Sequence, residues 1–598
     1  LCLPKLKEKV LALAELASHY GLGLSLDAEE CSRLELTLDV FEWLCDQPSL
    51  ASWSGLGFVL QAYQKRGLEV AMWLTEQAMR RPQGIMVRLV KGAYWDTEIK
   101  IAQQKGLDDY PVFTNKIHTD LSYEACAATL FSCPRIYCQF ATHNALSIAQ
   151  ILQFTSDSDQ RFELQKLHGM GDLLYAIVSE QYPQVAVRTY APVGQHEDLL
   201  PYLVRRLLEN GANSSFVNRF LDSELPVAAL VEDPLTRLKT PNGKDPTHIP
   251  IPCHIFSNSS PNWLAARGAD LDARPAAADF EAASGRAILL EHSTLDPDLS
   301  DAGPICNARC PATGEPIGSY AVSTLADVDD AVMRAHRAFP HWSRRPVGER
   351  AGLLKRVGDL LEANTIELTA LIAREAGRTL NDGLDEVREA VDFCRYYAAQ
   401  AEALLGEVQE LPGVTGETNQ LRYSARGVWL CISPWNFPLA IFVGQIAANL
   451  AVGNTVVAKP AEQTPLVARF ALRLFRQAGI ESDVLSVLYG DGPNVGAPLV
   501  DDTRVRGVSF TGSHTTALTI NRQLAHRTGP ITPFIAETGG INCMFVDSTA
   551  LPEQVIDDVI TSAFRSAGQR CSALRVLFLQ REIADKTLAI LEGAMHEL

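Results

Sequence analysis

The chain has 598 residues, 47% hydrophobic and 21% charged, which supplies enough apolar material for large cores and excludes wholesale disorder. Its net charge of −18 and pI near 5.2 exclude general attraction to nucleic acid or anionic lipid as an organising property. Thirteen scattered cysteines, an odd number, read as reduced cytoplasmic thiols, and neither Cys306 with Cys310 nor Cys133 with Cys138 has the partners that a zinc site needs.

In chain order, a helical pattern over 5–20 leads into short apolar runs alternating with helices. The runs at 23–27, 56–61, 85–92, 136–142, 162–167 and 185–190 predict strands of β/α units. Each run ends near a polar side chain: Asp27, Gln61, Arg88 with Lys91, His143, His168 and Tyr190. In a β/α barrel the active site gathers at the carboxyl ends of the strands, so this repetition carries functional information. Six units are readable where a closed barrel has eight, and the first two are expected upstream. Arg88 and Lys91, flanking a glycine-containing strand exit, suit a flavin edge and phosphates; an interior strand followed by a surface lysine is the alternative. On the helical stretch that follows Tyr190, Arg205 and Arg206 either clamp a small carboxylate or, with Glu209 four residues on, form a helix-surface ion pair.

Residues 225–300, rich in proline and alanine, predict a connecting region with some helix. Beyond it, helical patterns at 325–338, 348–376 and 384–406 and strands at 428–433, 455–459, 485–488 and 506–511 predict a doubly wound, dinucleotide-binding region. The stretch 427–458 has no charged side chain, yet Pro434, Asn436, Pro438, Gln445, Asn449 and Asn454 interrupt it, and it reads as strand, loop, buried helix and strand rather than a membrane span. The segment from Gly490 to Gly496 is not G-x-G-x-x-G and has little weight as a fingerprint.

Near the end, the small-residue stretch 566–572 leads into Cys571, with Arg570 beside it as a cation that favours a thiolate. A lone cysteine is more often a small buried hydrophobe, but two other groups support a catalytic reading. Glu537, ahead of Gly539 and Gly540, is a candidate general base; Asn436, pinned between Pro434 and Pro438, is a candidate oxyanion donor. Cysteine, glutamate and asparagine together equip a thiol enzyme that attacks a carbonyl and hydrolyses a thioester.

The motifs ISPWNFP (432–438), AKPAEQTP (458–465), FTGS (510–513), AETGG (536–540) and GQRCS (568–572) resemble, in this order, those of the aldehyde dehydrogenase superfamily. Ahead of them, LDAEE (26–30), GFVLQAYQKR (57–66), RLVKGAYWD (88–96), QFATHNA (139–145), LHGMG (167–171), YAPVG (190–194) and YLVRRLLENGANSSFVNR (202–219) resemble the proline dehydrogenase barrel of the bacterial bifunctional proline-catabolic enzymes. The fold so implied is α/β, a partial (β/α)8 barrel over 1–224, a linker region over 225–300, a Rossmann-like NAD-binding domain over 301–536, and from 537 the start of the aldehyde dehydrogenase catalytic domain, expected to continue past 598.

The resemblance implies that FAD-dependent oxidation of L-proline to pyrroline-5-carboxylate is followed by NAD-dependent oxidation of glutamate γ-semialdehyde to L-glutamate. In the barrel, Arg205 and Arg206 would hold the proline carboxylate in a pocket shaped by Tyr190, Tyr94 and Asp27, while Gln61, Arg88, Lys91, His143 and Glu209 would contact or support FAD. In the second half, Cys571 would be the nucleophile, Asn436 the oxyanion donor and Glu537 the base. Ser572 would help bind the substrate carboxylate; Lys459 and Glu462 would hold the adenine ribose, and Ser513 the pyrophosphate. The family's barrel lysine on an earlier strand, its later nicotinamide-ribose glutamate, its substrate-anchor loop and its oligomerisation strands have no match here. The implied partners are these small molecules, a quinone or membrane electron acceptor for a cytoplasmic enzyme peripheral on the inner membrane face, and further copies in a homo-oligomer. Rival readings are a chain with one catalytic half, a non-catalytic scaffold, or an enzyme that also represses transcription through an amino-terminal DNA-binding domain.

Overall fold

The computed structural model describes residues 2–156, 159–194, 199, 233–239, 249–256, 263–285 and 303–598, and the chain divides into two compact units, Leu1–Pro252 and Cys253–Leu598. In the first unit, β1 (Leu24–Leu26), β2 (Leu56–Gln61), β3 (Ile85–Val90), β4 (Ile136–Ala141), β5 (Phe162–Leu167) and β6 (Ala186–Tyr190) form one six-stranded sheet in sequence order. Every pairing is parallel, so each crossover advances the sheet in one direction, as barrels require. All six β2 positions are buried, which is why LGFVLQ reads as a continuous apolar run instead of an alternation.

The crossover helices pack on this sheet around Phe41, Phe58, Leu74, Tyr123, Phe140 and Tyr175. Local chemistry sets where they begin. Asn144 accepts from the backbone N–H groups of Leu146 and Ser147 and starts the helix Ala145–Phe154 directly after His143. The six expected strands are all present within one or two residues of their expected bounds.

In the second unit, β11 (Val428–Ile432), β12 (Thr455–Lys459), β13 (Leu485–Val487), β14 (Val505–Gly512) and β15 (Phe534–Thr538) form a parallel sheet in the order β13-β12-β11-β14-β15. The strand order reverses at β11, between β12 and β14, and the crevice above the carboxyl ends there is where open α/β sheets bind ligands. The uncharged stretch resolves into β11, the buried helix Ala440–Val452 and β12, as the sequence predicts. The core beneath holds Trp342, Phe442, Phe475 and Leu450.

Two expectations need correction, and several strands have no counterpart among the expected ones. The pattern over 348–376 is two helices, Val347–Ala363 and Thr365–Ala376, broken at Asn364, whose side chain donates to the carbonyl of Leu360. The helix expected to stop at 338 runs over Leu325–Arg344 with Pro340 inside it. Strands β7 (Ile305–Arg309) with β8 (Pro316–Ala321), β9 (Gln409–Leu411) with β10 (Asn419–Leu421), β15, and the parallel pair β16 (Asn542–Val546) with β17 (Leu574–Leu579) went unread. Among the described residues no helix is long and apolar enough to cross a membrane, and no cluster of metal-ligating side chains is present.

Candidate active sites

In the second unit one cleft of about 860 Å³ lies over the switch point, and its walls include Asn436, Glu537 and Cys571 together with Lys459, Glu462 and Ser513. Asn436 sits on the loop leaving β11. Its Nδ2 donates to the carbonyl of Gln569 at 2.8 Å, which ties the amide to the turn that delivers Cys571. That turn is left-handed: Ser566 (φ 54°), Ala567 (φ 52°) and Gly568 (φ 67°) follow one another. For residues other than glycine this conformation costs about 1–2 kcal/mol each. Cys571 follows in an exposed position, and Asn542 Nδ2 donates to its carbonyl at 2.7 Å and to that of Ala573 at 3.0 Å.

Arg570, expected as a cation beside the thiol, instead donates to the carbonyls of Thr561 (2.6 Å) and Ser562 (3.3 Å). It anchors the preceding helical turn. Glu537, exposed on β15, is in register with Thr511 of β14. Ser572 is exposed next to Cys571 but is not among the cleft's lining residues.

Lys459 is buried at the end of β12, with Nζ 3.5 Å from the Glu462 carboxylate. Burial draws its pKa below the usual lysine range, and Glu462 only partly offsets this. A desolvated ammonium beside a cleft has hydrogen-bonding capacity to offer ribose hydroxyls. Ser513 Oγ accepts from Thr516 N–H at 3.2 Å and caps the helix His514–His526, whose first residues also line the cleft. A helix amino terminus that opens on a cleft suits a pyrophosphate, so these residues fit NAD. The Gly490–Gly496 segment contributes more than its mismatch to a fingerprint suggests, since Gly492, Pro493 and Gly496 are all in the cleft wall.

In the first unit, the carboxyl ends of three strands converge. Arg88 of β3 lies 3.7 Å from the Asp27 carboxylate beyond β1, and its guanidinium stacks over the Tyr190 ring of β6 at 4.6 Å. Arg88 Nε is buried and, among the described residues, has no hydrogen-bond partner, an unmet donor that fits an electron-rich ligand such as FAD. Gln61 bridges the next loops, donating to the Glu29 carbonyl (2.7 Å) and accepting from Ala93 N–H (3.3 Å). Tyr94 Oη donates to the Glu29 carboxylate at 2.7 Å. Lys91 pairs with Asp120 at 2.5 Å and lies over Tyr123, and His143 Nε2 accepts from Leu167 N–H at 3.2 Å. Arg205, Arg206 and Glu209 lie outside the described residues.

Two acidic groups here escaped the sequence reading. Glu29 joins Gln61 to Tyr94, and lies within the very motif that contains Asp27. Glu163, buried on β5, accepts from Tyr137, Gln139, Gln165 and Arg188. Burial raises its pKa, but the hydrogen bonds from Arg188 and Gln165 prevail and hold it below the usual carboxylate range. Apolar patterning gives no signal for a carboxylate inside a strand.

The aldehyde dehydrogenase family profile matches residues 300–598 and the proline dehydrogenase profile matches residues 3–219. The chain is 47% identical to the bifunctional protein PutA of Escherichia coli K12 over 99% of this chain and 45% of that protein. It is 36% identical to the 1-pyrroline-5-carboxylate dehydrogenase of Anoxybacillus flavithermus over 46% of this chain and 54% of that protein. A crystal structure of a Bradyrhizobium japonicum proline utilization A variant superposes with a TM-score of 0.90 at 48% identity, covering 100% of this chain and 58% of that one. The chain thus spans about half the length of the curated PutA relatives it matches. It belongs to the aldehyde dehydrogenase family through its second half, which follows a region that matches the proline dehydrogenase profile, and this arrangement is similar to that of PutA.

Proposed function

We propose that the protein carrying this chain oxidises L-proline to pyrroline-5-carboxylate with FAD, and then oxidises the hydrolysed product, glutamate γ-semialdehyde, to L-glutamate with NAD. The observation that carries this reading is the lining of one cleft by Cys571, Asn436 and Glu537 beside Lys459, Glu462 and Ser513. FAD and NAD, when bound, supply two-electron hydride acceptance; the chain's own residues do the rest. Cys571 Sγ, as thiolate, bonds to the aldehyde carbon, and the carbonyl oxygen becomes an oxyanion that the Asn436 amide and the Cys571 backbone N–H hold. Once that carbon has given up its hydride, which NAD would accept when bound, Sγ is held in a thioester. Glu537 takes a proton from water as the water oxygen attacks that thioester; the C–S bond breaks, the thiol is regenerated and glutamate leaves.

In the barrel, Arg88, Lys91, Gln61 and His143 would hold or support FAD, with Tyr190, Tyr94 and Asp27 around the proline and Arg205 and Arg206 on its carboxylate. Ser572 is assigned to the semialdehyde's carboxylate. The partners we assign are a quinone or membrane electron acceptor and further copies of the chain, in a cytoplasmic enzyme that docks peripherally on the membrane. One preparation of the intact protein tests the reading. Cys571→Ala should abolish NADH formation from the semialdehyde while proline still reduces the flavin; NADH formation that persists removes Cys571 as the nucleophile.

A further inference from the structure

Behind the cleft, a buried ion pair joins the two loops that carry the reacting groups. Arg378 and Glu386 meet at 3.2 Å, with side chains 7% and 0% exposed. Glu386 Oε1 accepts from the backbone N–H groups of Leu439 (2.7 Å) and Ala440 (3.3 Å), where the Asn436 loop turns into its helix. Arg378 Nη1 donates to the carbonyl of Asn436 itself at 2.5 Å, and its guanidinium lies on the Phe437 ring at 4.3 Å. Its other arm, Nη2, donates to Ser566 Oγ at 3.3 Å, the first residue of the left-handed turn ahead of Cys571. That turn is held from the same side by Arg565, which donates to Asp382 at 2.6 Å and pairs with Asp385.

We infer that Arg378, fixed by Glu386, is a positioning residue for aldehyde oxidation: it sets the distance between the Asn436 amide and Cys571 by bridging their loops with the two arms of one guanidinium. Burying two charges is expensive and is a poor source of stability compared with an apolar pair, so stability alone is a weak reason for this pair to lie under these loops. A planar fork can span two acceptors that a single ammonium cannot. The strained turn gives the bridge a task, because Ser566 and Ala567 hold positive φ only where the surroundings over-determine them. An ångström of drift between donor and nucleophile is enough to cost about a hundredfold in rate.

The inference rests on the aldehyde-oxidising reading of the cleft, and a double-mutant cycle on the intact protein separates the two. NADH formation from glutamate γ-semialdehyde is measured for the parent, Asn436→Ala, Arg378→Met, Arg378→Lys and Asn436→Ala with Arg378→Met. Arg378→Met should lower kcat by about a hundredfold with the KM for NAD held. Combined with Asn436→Ala it should add less than about threefold, because both changes disable one device. Arg378→Lys keeps the cation beside Glu386, which answers the objection that the methionine variant unfolds, and should still lose about tenfold because it cannot reach both loops. Losses that multiply in the double variant, or a lysine variant at the parent's rate, overturn the inference. A parent-like rate for Asn436→Ala would instead sink the reading of the cleft.

Discussion

Asn436 gives one amide hydrogen to the Gln569 carbonyl, and an amide nitrogen carries two, so the second is available to an oxyanion. Deleting one such donor costs about two to three powers of ten in kcat. Asn436→Ala should show that loss in NAD-linked turnover while its thermal midpoint stays near the parent's; a normal rate would make Asn436 a turn residue and nothing more. The neighbouring strain makes a second prediction at this scale. Glycine in a right-handed helical position costs about 0.5–1 kcal/mol relative to alanine, but at the φ of 52° of Ala567 it relieves a steric cost of similar size. Ala567→Gly should therefore leave urea stability unchanged or slightly raised, and a loss of about 1 kcal/mol would show that the turn is right-handed in solution. Asn436 and Cys571 stood out as candidates because proline, glycine and small residues mark their loops, and Glu537 because two glycines follow the strand that carries it. Arg378 did not, since its contacts lie 58 and 188 residues away in sequence and no spacing rule reaches that far.

Among elements, burial at every position made a strand easy to read, but burial did not decide every case: β1 and β6 have no buried residue and were legible from the repeat of β/α units, while the mostly buried β8 was not. β2 and β12 are buried at every position and stand out as apolar runs, whereas β15 has no buried residue and β16 and β17 bury only their ends. The break at Asn364 hid because apolar periodicity continues across it, from Leu361 to Leu368. Helix ends hold another group that sequence conceals. Thr464 provides no side-chain cap for the helix Pro465–Ala478; the buried Glu375 does so from another helix, accepting from Leu466 and Val467 N–H at 2.8 Å each. Burial pushes this carboxyl up to about 8 despite both donors. A carboxyl raised in the native state contributes stability that is fully present below the unfolded value, about 4.5, and is lost as pH rises through about 8. Glu375→Gln cannot titrate. Whatever its fixed offset, its urea midpoint should gain on the parent's between about pH 5 and about pH 8, and a constant gap over that window would mean that Glu375 is ionised throughout.

At the scale of the molecule, each unit is organised around its own buried cluster, one containing Phe58, Phe140 and Tyr123 and another Trp342, Phe442 and Phe475. The residues assigned to the two chemistries divide the same way: Asp27, Gln61, Arg88 and Tyr190 fall within Leu1–Pro252, and Asn436, Glu537 and Cys571 within Cys253–Leu598. Damage to one core should then remove one activity. Phe140 is fully buried near the carboxyl end of β4, in edge contact with Phe162 of β5 and Phe154 of the following helix, so Phe140→Ala forfeits both burial and aromatic packing at a cost of about 3–5 kcal/mol. That loss is a large fraction of a domain's stability. On warming the intact protein, proline-dependent flavin reduction in Phe140→Ala should fail well below the parent's temperature, while NADH formation from added glutamate γ-semialdehyde survives to the parent's limit. Phe442→Ala, on the buried helix behind Asn436, should reverse the order of failure. Both activities failing together in either variant would mean that the two cores melt as one cooperative unit, and the division of labour read from the structure would then be chemical without being energetic.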